Sequence, residues 1–228
     1  MNTTNFLLFG AYPYIAIAVL IVGSWARYDN AQYTWKAGST QMLNDKGMRI
    51  ASNLFHVGVI FIIFGHFIGL LLPEAIYHYV ISTPNKQLLA MVSGGFFGTL
   101  AFFGLTMLIK RRFTDDRVKA NGSRADQMVL LMLYAQLILG LISIVISADH
   151  MDGSVMVLLA TWAQSIVTFQ PTAAAEAIAS VHIIYKLHII LGMTLFVVFP
   201  FTRLVHIVSG FAAPVKYLLR SYQIVRSK

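Results

Sequence analysis

Four histidines stand in stretches of the sequence that are otherwise almost entirely apolar. His56 and His66 lie ten residues apart in one stretch, and His188 and His206 lie eighteen residues apart in another. A neutral imidazole suits metal ligation, and a titrating imidazole suits proton transfer. Ionisable side chains are costly inside a membrane and are usually functional there. What these four residues can do depends on the elements that carry them.

The composition places those elements in a membrane. Of the 228 residues, 57% are hydrophobic and only 11% are charged. Crossing a hydrocarbon core of about 30 Å takes roughly 20 residues of helix, and a helix satisfies its own backbone hydrogen bonds there. Five stretches are long and apolar enough: 7–26, 50–72, 88–109, 127–147 and 182–207. The sequence predicts an all-α integral membrane protein, a bundle of five transmembrane helices.

The first of these stretches is not expected to be a signal peptide. Residues 1–6, MNTTNF, contain no Lys or Arg, and no clear small-residue cleavage site follows. We therefore interpret it as a spanning helix of the mature protein. The predicted membrane domain is 1–208, and the remaining 209–228 form a tail.

Basic residues are distributed unevenly between the two sides of the predicted bundle. Of 17 Lys and Arg residues, only Lys86 and Lys186 fall on one side. The others fall on the opposite side: Arg27, Lys36, Lys46, Arg49, Lys110, Arg111, Arg112, Arg117, Lys119, Arg124, Arg203, Lys216, Arg220, Arg226 and Lys228. The positive-inside rule then predicts the N-terminus outside and the C-terminus in the cytoplasm. The net charge of +8 reflects topology and does not indicate a nucleic-acid partner.

This topology sorts the histidines into two pairs by depth. Since the second and fifth predicted helices run in opposite directions, His56 matches His206 near the cytoplasmic side, and His66 matches His188 nearer the outside. Two histidines on facing helices can ligate one haem iron from both sides. The pairs predict two haems across the bilayer, and the absence of cysteine excludes c-type attachment, so both would be b-type.

Ideal helix geometry supports this pairing only in part. Ten residues on the second helix rise about 15 Å, whereas eighteen on the fifth rise about 27 Å. Eighteen residues are also about five whole turns, which would return His206 to the face of His188. Pro200 lies between these two residues and can kink the helix. The remaining histidines, His78, His150 and His182, are interpreted as interfacial residues, which is also the alternative for any one of the four.

Several stretches resemble the gamma subunit of membrane-bound respiratory nitrate reductase, a dihaem cytochrome b, and the likeness covers nearly the whole chain. They are YPYIA at 12–16, GSWARYD at 23–29, QYTWKA at 32–37, ASNLFHVG at 51–58, KRR at 110–112, HMDGS at 150–154, WAQSIVTF at 162–169 and LHIILGMTLFVVFPFTRLVHI at 187–207. The least similar segment is QPTAAAEAIASV at 170–181.

The resemblance implies that His56 and His206 ligate an inner haem and that His66 and His188 ligate an outer one. It implies that the protein oxidises a membrane quinol near the outer haem, with proton release outside. Electrons would pass to an iron–sulfur subunit on the cytoplasmic side, and nitrate would be reduced on a molybdenum catalytic subunit. It also implies a multi-pass protein of the inner membrane.

The quinol site is expected around Lys86, Gly65 and His66. Lys86 matches the family's quinol-site lysine and can donate a hydrogen bond to a quinol oxygen, and Gly65 would leave room for a ring. A snorkelling interfacial anchor is the alternative role for Lys86. The two arginines Arg112 and Arg203 could pair with haem propionates, or serve only as positive-inside anchors.

Two other classes of protein stay open at this point. One is a dihaem cytochrome b subunit of another quinone-linked reductase, of the heterodisulfide or sulfite type. The other is a transporter with a histidine proton relay and no haem. The tail is expected to help dock the iron–sulfur partner, although its basic and apolar residues would equally suit binding to anionic membrane lipid.

Overall fold

The computed structural model describes residues 2–36, 38, 40–43 and 47–209. Within these residues the chain is helical and has no strand. The main helices are α1 Thr3–Asn30, α2 Met48–Leu71, α3 Thr83–Thr114, α4 Arg124–Ser147, α5 Ser154–Val167, α6 Pro171–Ala177 and α7 Ile183–Val198. Apart from Ser209, the predicted tail 209–228 lies outside the described residues.

Five segments are long and apolar enough to cross a membrane, which confirms the predicted number of spans. They are α1 to α4 and the segment Ile183–Phe201, which contains α7. The third span is longer than the predicted 88–109, because its polar ends continue the helix beyond the apolar stretch. Helix formation needs only local hydrogen bonds, so it does not stop where the hydrophobic residues stop.

The spans form an arc whose order differs from their order in the chain. Along it α2 packs on α3, α3 on α4, α4 on α7, and α7 on the Tyr12–Ala18 part of α1. The shorter helices α5 and α6 join the two ends of the arc, since α5 packs on α2 and α6 packs on α1. Helices α2 and α7 thus face each other across the arc without packing along their lengths.

Helices α5 and α6 define one end of the bundle, here called the cap end. Their buried residues form a cluster with α1 and α7 that includes Phe9, Trp162, Ile178 and Tyr185. Pro13 cannot donate to the carbonyl of Phe9, four residues earlier in α1, and the indole of Trp162 donates to that oxygen instead at 3.0 Å. The cap therefore satisfies a backbone group that proline leaves unpaired within the membrane.

The start of α5 is stabilised by local hydrogen bonds. Asp152 accepts from the backbone nitrogen of Ser154 at 3.2 Å and from its hydroxyl at 2.8 Å. These bonds hold the pKa of the Asp152 carboxyl below its usual value. Gly153 adopts φ +86 between them, a left-handed conformation that glycine tolerates best.

Close packing of α2 against α3 depends on glycine. A Cβ on Gly58 would lie 2.6 Å from the carbonyl oxygen of Phe97, so only glycine fits there. Phe61 stacks on Phe97 with ring centroids 4.2 Å apart. These contacts fix the antiparallel register of the two helices, and with it the depth of every residue on α2 relative to α3.

Candidate functional site

The structure brings the four intramembrane histidines together as two pairs between α2 and the last span. The rings of His66 and His188 lie nearer the cap end, with centroids 6.1 Å apart. The rings of His56 and His206 lie toward the opposite end, with centroids 6.3 Å apart. These are the pairs expected from depth. Helices α2 and α7 do not otherwise pack on each other.

Each pair has the separation that one metal atom between two imidazoles requires. A metal–imidazole nitrogen bond of about 2 Å, with the nitrogen about 1 Å from its ring centroid, separates two opposed rings by about 6 Å. In the part of the chain that the structure describes, no group of three or more His, Cys, Asp or Glu side chains could hold a metal ion. Two protein ligands alone suit a haem iron, whose other four ligands come from the porphyrin.

Hydrogen bonds orient three of the four rings for ligation. Each donates from Nδ1 to a backbone carbonyl three or four residues earlier: His56 to Ser52 at 2.8 Å, His66 to Ile62 at 2.7 Å and His206 to Arg203 at 2.6 Å. Such a bond fixes the tautomer and leaves the lone pair of Nε2 for a metal. The residues therefore fit a haem at both positions, and His188 is the one ring held differently.

His206 does not lie on α7, which corrects the prediction of one helix over 182–207. The α-helix ends at Val198, a 3-10 turn covers Phe199–Phe201, and Thr202 is extended with φ −124 and ψ −179. The inference that five whole turns return His206 to the face of His188 is therefore wrong. Both ring pairs form although ideal rises of about 15 and 27 Å do not match, so the chain from His188 to His206 does not follow one straight helix axis.

Helix α1 holds this break in place. Arg27 donates from Nη1 to the carbonyls of Pro200 and Thr202, both at 2.7 Å. It also donates from Nη2 to the carbonyl of Thr34 at 2.7 Å. One turn earlier, a Cβ on Gly23 would lie 2.8 Å from the ring of Pro200. The carbonyls exposed by the interrupted helix are thus paired by a charged side chain of another span.

The end opposite the cap carries Arg112 and Arg203 and is here called the arginine end. Arg112 is buried, forms an ion pair with Asp126 at 3.1 Å and donates to the carbonyl of Val118 at 3.2 Å. Arg203 is half-buried near both Arg112 and Asp126. Within the described residues its guanidinium donates no hydrogen bond. Arg112 therefore stabilises the α3–α4 connection. The N–H groups of the Arg203 guanidinium could bind another partner.

Lys86 is buried near the cap end. Only 8% of the residue is exposed, and its Nζ lies 3.7 Å from the centroid of the Tyr77 ring. A snorkelling anchor would instead hold its ammonium in water. Continuing the α2–α3 register places Lys86 level with Leu71, about five residues or 8 Å beyond His66 toward the cap end. Beside His66, a Cβ on Gly65 would meet nothing within 4 Å, so there is open space on that face of α2.

The other three histidines are exposed and lie apart from the two pairs. His78 contacts Glu74 at 3.2 Å, and His182 caps α7 by accepting from the backbone nitrogen of Ile184. His150 follows the end of α4 and contributes its carbonyl to Gln87. Their interpretation as interfacial residues stays a prediction.

Comparison with known proteins gives a consistent result over the whole length of the chain. Residues 5–228 match the family described as nitrate reductase gamma subunit. The chain is 49% identical to respiratory nitrate reductase 1 gamma chain of Escherichia coli, covering 100% of both chains. It is 34% identical to nitrate reductase gamma chain of Bacillus subtilis, covering 97% of this chain and 98% of that one.

The chain belongs to the nitrate reductase gamma subunit family. As a member it is a subunit of a nitrate reductase complex, which is an oxidoreductase, and a multi-pass protein of the inner membrane. Other subunits of that complex are its partners. Among the classes left open by the sequence, family membership supports the nitrate reductase interpretation over another quinone-linked reductase or a histidine-relay transporter.

Several residues that lie near the paired histidines or Lys86 were not identified from the sequence. Gln136 contacts His188, Arg27 pairs the carbonyls before His206, and Tyr77 covers Lys86. Helices α5 and α6 were also missed, because the predicted spans 127–147 and 182–207 left 148–181 as a connection. A polar residue such as Gln136 within an apolar span was a visible signal, but its partner lies on another helix and has no local signature.

Proposed function

We propose that the chain is the dihaem cytochrome b subunit of its complex. His56 and His206 would ligate one b-type haem, and His66 and His188 the other. The observation that carries this proposal is the pair of ring separations, 6.3 and 6.1 Å, between α2 and the segment 183–206, although α2 and α7 do not otherwise pack on each other. Bound haem supplies one-electron transfer, while the protein supplies ligands, position and electrostatics.

The proposed orientation has the N-terminus outside and the C-terminus in the cytoplasm. Most Lys and Arg residues belong to the connections at the arginine end, and cytoplasmic connections carry this excess. The cap end would then face outward. In this orientation the pair His56 and His206 is cytoplasmic, and the pair His66 and His188 is near the outer surface.

The proposed quinol site lies between α2 and α3 toward the cap end. Lys86 would donate a hydrogen bond from its ammonium to a quinol oxygen, since this ammonium donates no hydrogen bond to any of the described residues. The aromatic ring of Tyr77 would hold that ammonium by a cation–π contact. The open side of Gly65 would admit the quinol ring beside His66. Oxidation there releases the quinol protons outside, whereas electrons leave toward the cytoplasm, so each turnover adds to the membrane potential.

The proposed partners are an iron–sulfur subunit that accepts these electrons on the cytoplasmic side and a molybdenum subunit that reduces nitrate. Arg203, whose guanidinium donates no hydrogen bond within the described residues, would pair with a propionate of the inner haem, and Arg112 would support it through Asp126. The tail 209–228 would dock the iron–sulfur subunit. Its charge and apolar residues would also suit the headgroups of membrane lipid.

Replacement of single histidines tests this function. The complex is purified with parent or variant chain, and its haem is counted by the pyridine haemochrome assay and titrated by potential. We expect two haems per chain, loss of the inner one from His56→Ala or His206→Ala, and loss of the outer one from His66→Ala or His188→Ala. His182→Ala is the matched control and should keep both. An assembled parent complex without haem would refute the proposal.

A further inference from the structure

His188 differs from the other three paired histidines in how its ring is held. Its Nδ1 is buried and has no hydrogen-bond partner among the described residues, whereas Nδ1 in the other three donates to a backbone carbonyl. The partner of His188 is Gln136 on α4, whose Nε2 lies 3.3 Å from the ring Nε2 and donates to the His188 carbonyl at 3.1 Å. The amide oxygen of Gln136 is also buried and unpaired. One side-chain pair therefore contains both an unpaired ring nitrogen and an unpaired acceptor.

The two helices are shaped around this pair. A Cβ on Gly140 would lie 3.2 Å from Cε1 of His188, and a Cβ on Gly192 would lie 3.1 Å from Nε2 of Gln136. Gly140 follows Gln136 by one turn on α4, and Gly192 follows His188 by one turn on α7. Each helix thus places a glycine under the polar side chain of the other, which lets both polar groups meet inside an apolar bundle.

We infer that Gln136 is a positioning residue for the outer haem ligand, an inference that rests on the proposed function. With Nε2 of His188 bound to iron, Nδ1 carries a proton and needs an acceptor. The amide oxygen of Gln136 takes the role that a backbone carbonyl has for His56, His66 and His206. A turn of the ring about its Cβ–Cγ bond moves Nδ1 to the position of Cδ2, beside the amide that now lies 3.3 Å from Nε2. A turn of the amide that presents its oxygen in place of its nitrogen then joins the two groups that are otherwise unpaired.

This hydrogen bond has an electronic consequence that helix packing alone does not have. An acceptor on the ring N–H makes a ligating imidazole more basic, which stabilises ferric iron and lowers the reduction potential. Removing the acceptor should raise the reduction equilibrium constant of the outer haem about threefold to tenfold. For a one-electron couple at 59 mV per tenfold, that is a shift of about 30 to 60 mV upward.

The test is a potentiometric titration of haem absorbance in the purified complex that carries Gln136→Leu, Gln136→Glu or the parent chain. The outer haem is the component missing from the His66→Ala complex. Ser143→Ala is the control on the same helix, since that hydroxyl bonds only to the carbonyl of Gly140 at 2.7 Å. Haem content is counted in each sample, and the inner haem serves as an internal reference.

We expect a raised outer potential in Gln136→Leu, a potential below that of the parent in Gln136→Glu, and no shift in Ser143→Ala. Responses of opposite sign to Leu and Glu would not arise from a residue that only packs two helices. An unchanged outer potential in Gln136→Leu, or an upward shift in both variants, would overturn the inference. If Gln136→Leu fails to assemble, the Glu variant decides alone. An outer potential below the parent's then supports the inference, and an outer potential at or above the parent's overturns it. A parent complex without haem would instead refute the proposed function.

Discussion

Replacing Arg27 by alanine tests how the inner histidine pair is positioned. The guanidinium donates to the carbonyls of Pro200 and Thr202, both at 2.7 Å, and so pairs the backbone where the last span is interrupted. A hydrogen bond to a charged group contributes about 1.5 to 3 kcal/mol. Because Arg27 is half-buried, the two bonds together are better placed at about 2 to 3 kcal/mol after discounting for solvent.

A loss of that size raises the opening equilibrium of the break by about 30- to 140-fold, since each 1.4 kcal/mol is a factor of ten. His206 follows the break directly, whereas His188 lies on the regular part of α7. We expect Arg27→Ala to lose the inner haem at a lower temperature than the parent while keeping the outer haem. Amide exchange of residues 199–205 should become faster, which is a readout independent of haem.

The assay compares haem absorbance during a temperature ramp with exchange measured by mass spectrometry. Arg117→Ala is the matched control, because this exposed arginine lies at the same end and its side chain is not bonded to the break. Arg27→Lys keeps the charge but has no fork to span two carbonyls, so an intermediate effect is expected. Equal inner-haem retention and equal exchange in Arg27→Ala and the parent would refute the positioning argument.

Two further predictions concern the ends of the bundle. Lys86→Ala should slow haem reduction by quinol in rapid-mixing experiments, while haem content and oxidation by the partner subunits stay intact; Lys186→Ala, the other basic residue expected outside, is the control. A quinol reduction rate equal to the parent's would make Lys86 an anchor. Deleting 210–228 should release the soluble subunits from membranes in a sedimentation assay and leave both haems bound, whereas full retention of those subunits would favour lipid binding by the tail.

The spans and the histidine pairs could be predicted from the sequence because both depend on the length and direction of regular helices. About 20 apolar residues per span follow from membrane thickness. The order of the histidines along two oppositely directed spans then matches His56 with His206 and His66 with His188 without knowledge of packing, whereas the rise per residue did not match, because the α-helix ends before His206. The orientation of the bundle and the tail's role follow from charge and stay predictions.

The details that shape the site were decided only by tertiary structure. Pro200 indicated a kink, but the extended residue Thr202 and its pairing by Arg27 join parts of the chain more than 170 residues apart. The capping helices α5 and α6 are stabilised by contacts such as Trp162 with the Phe9 carbonyl. The contact of Gln136 with His188 likewise depends on two helices meeting at paired glycines. Local sequence patterns carry no record of such partners, because each of these groups reaches its partner only when distant helices pack together.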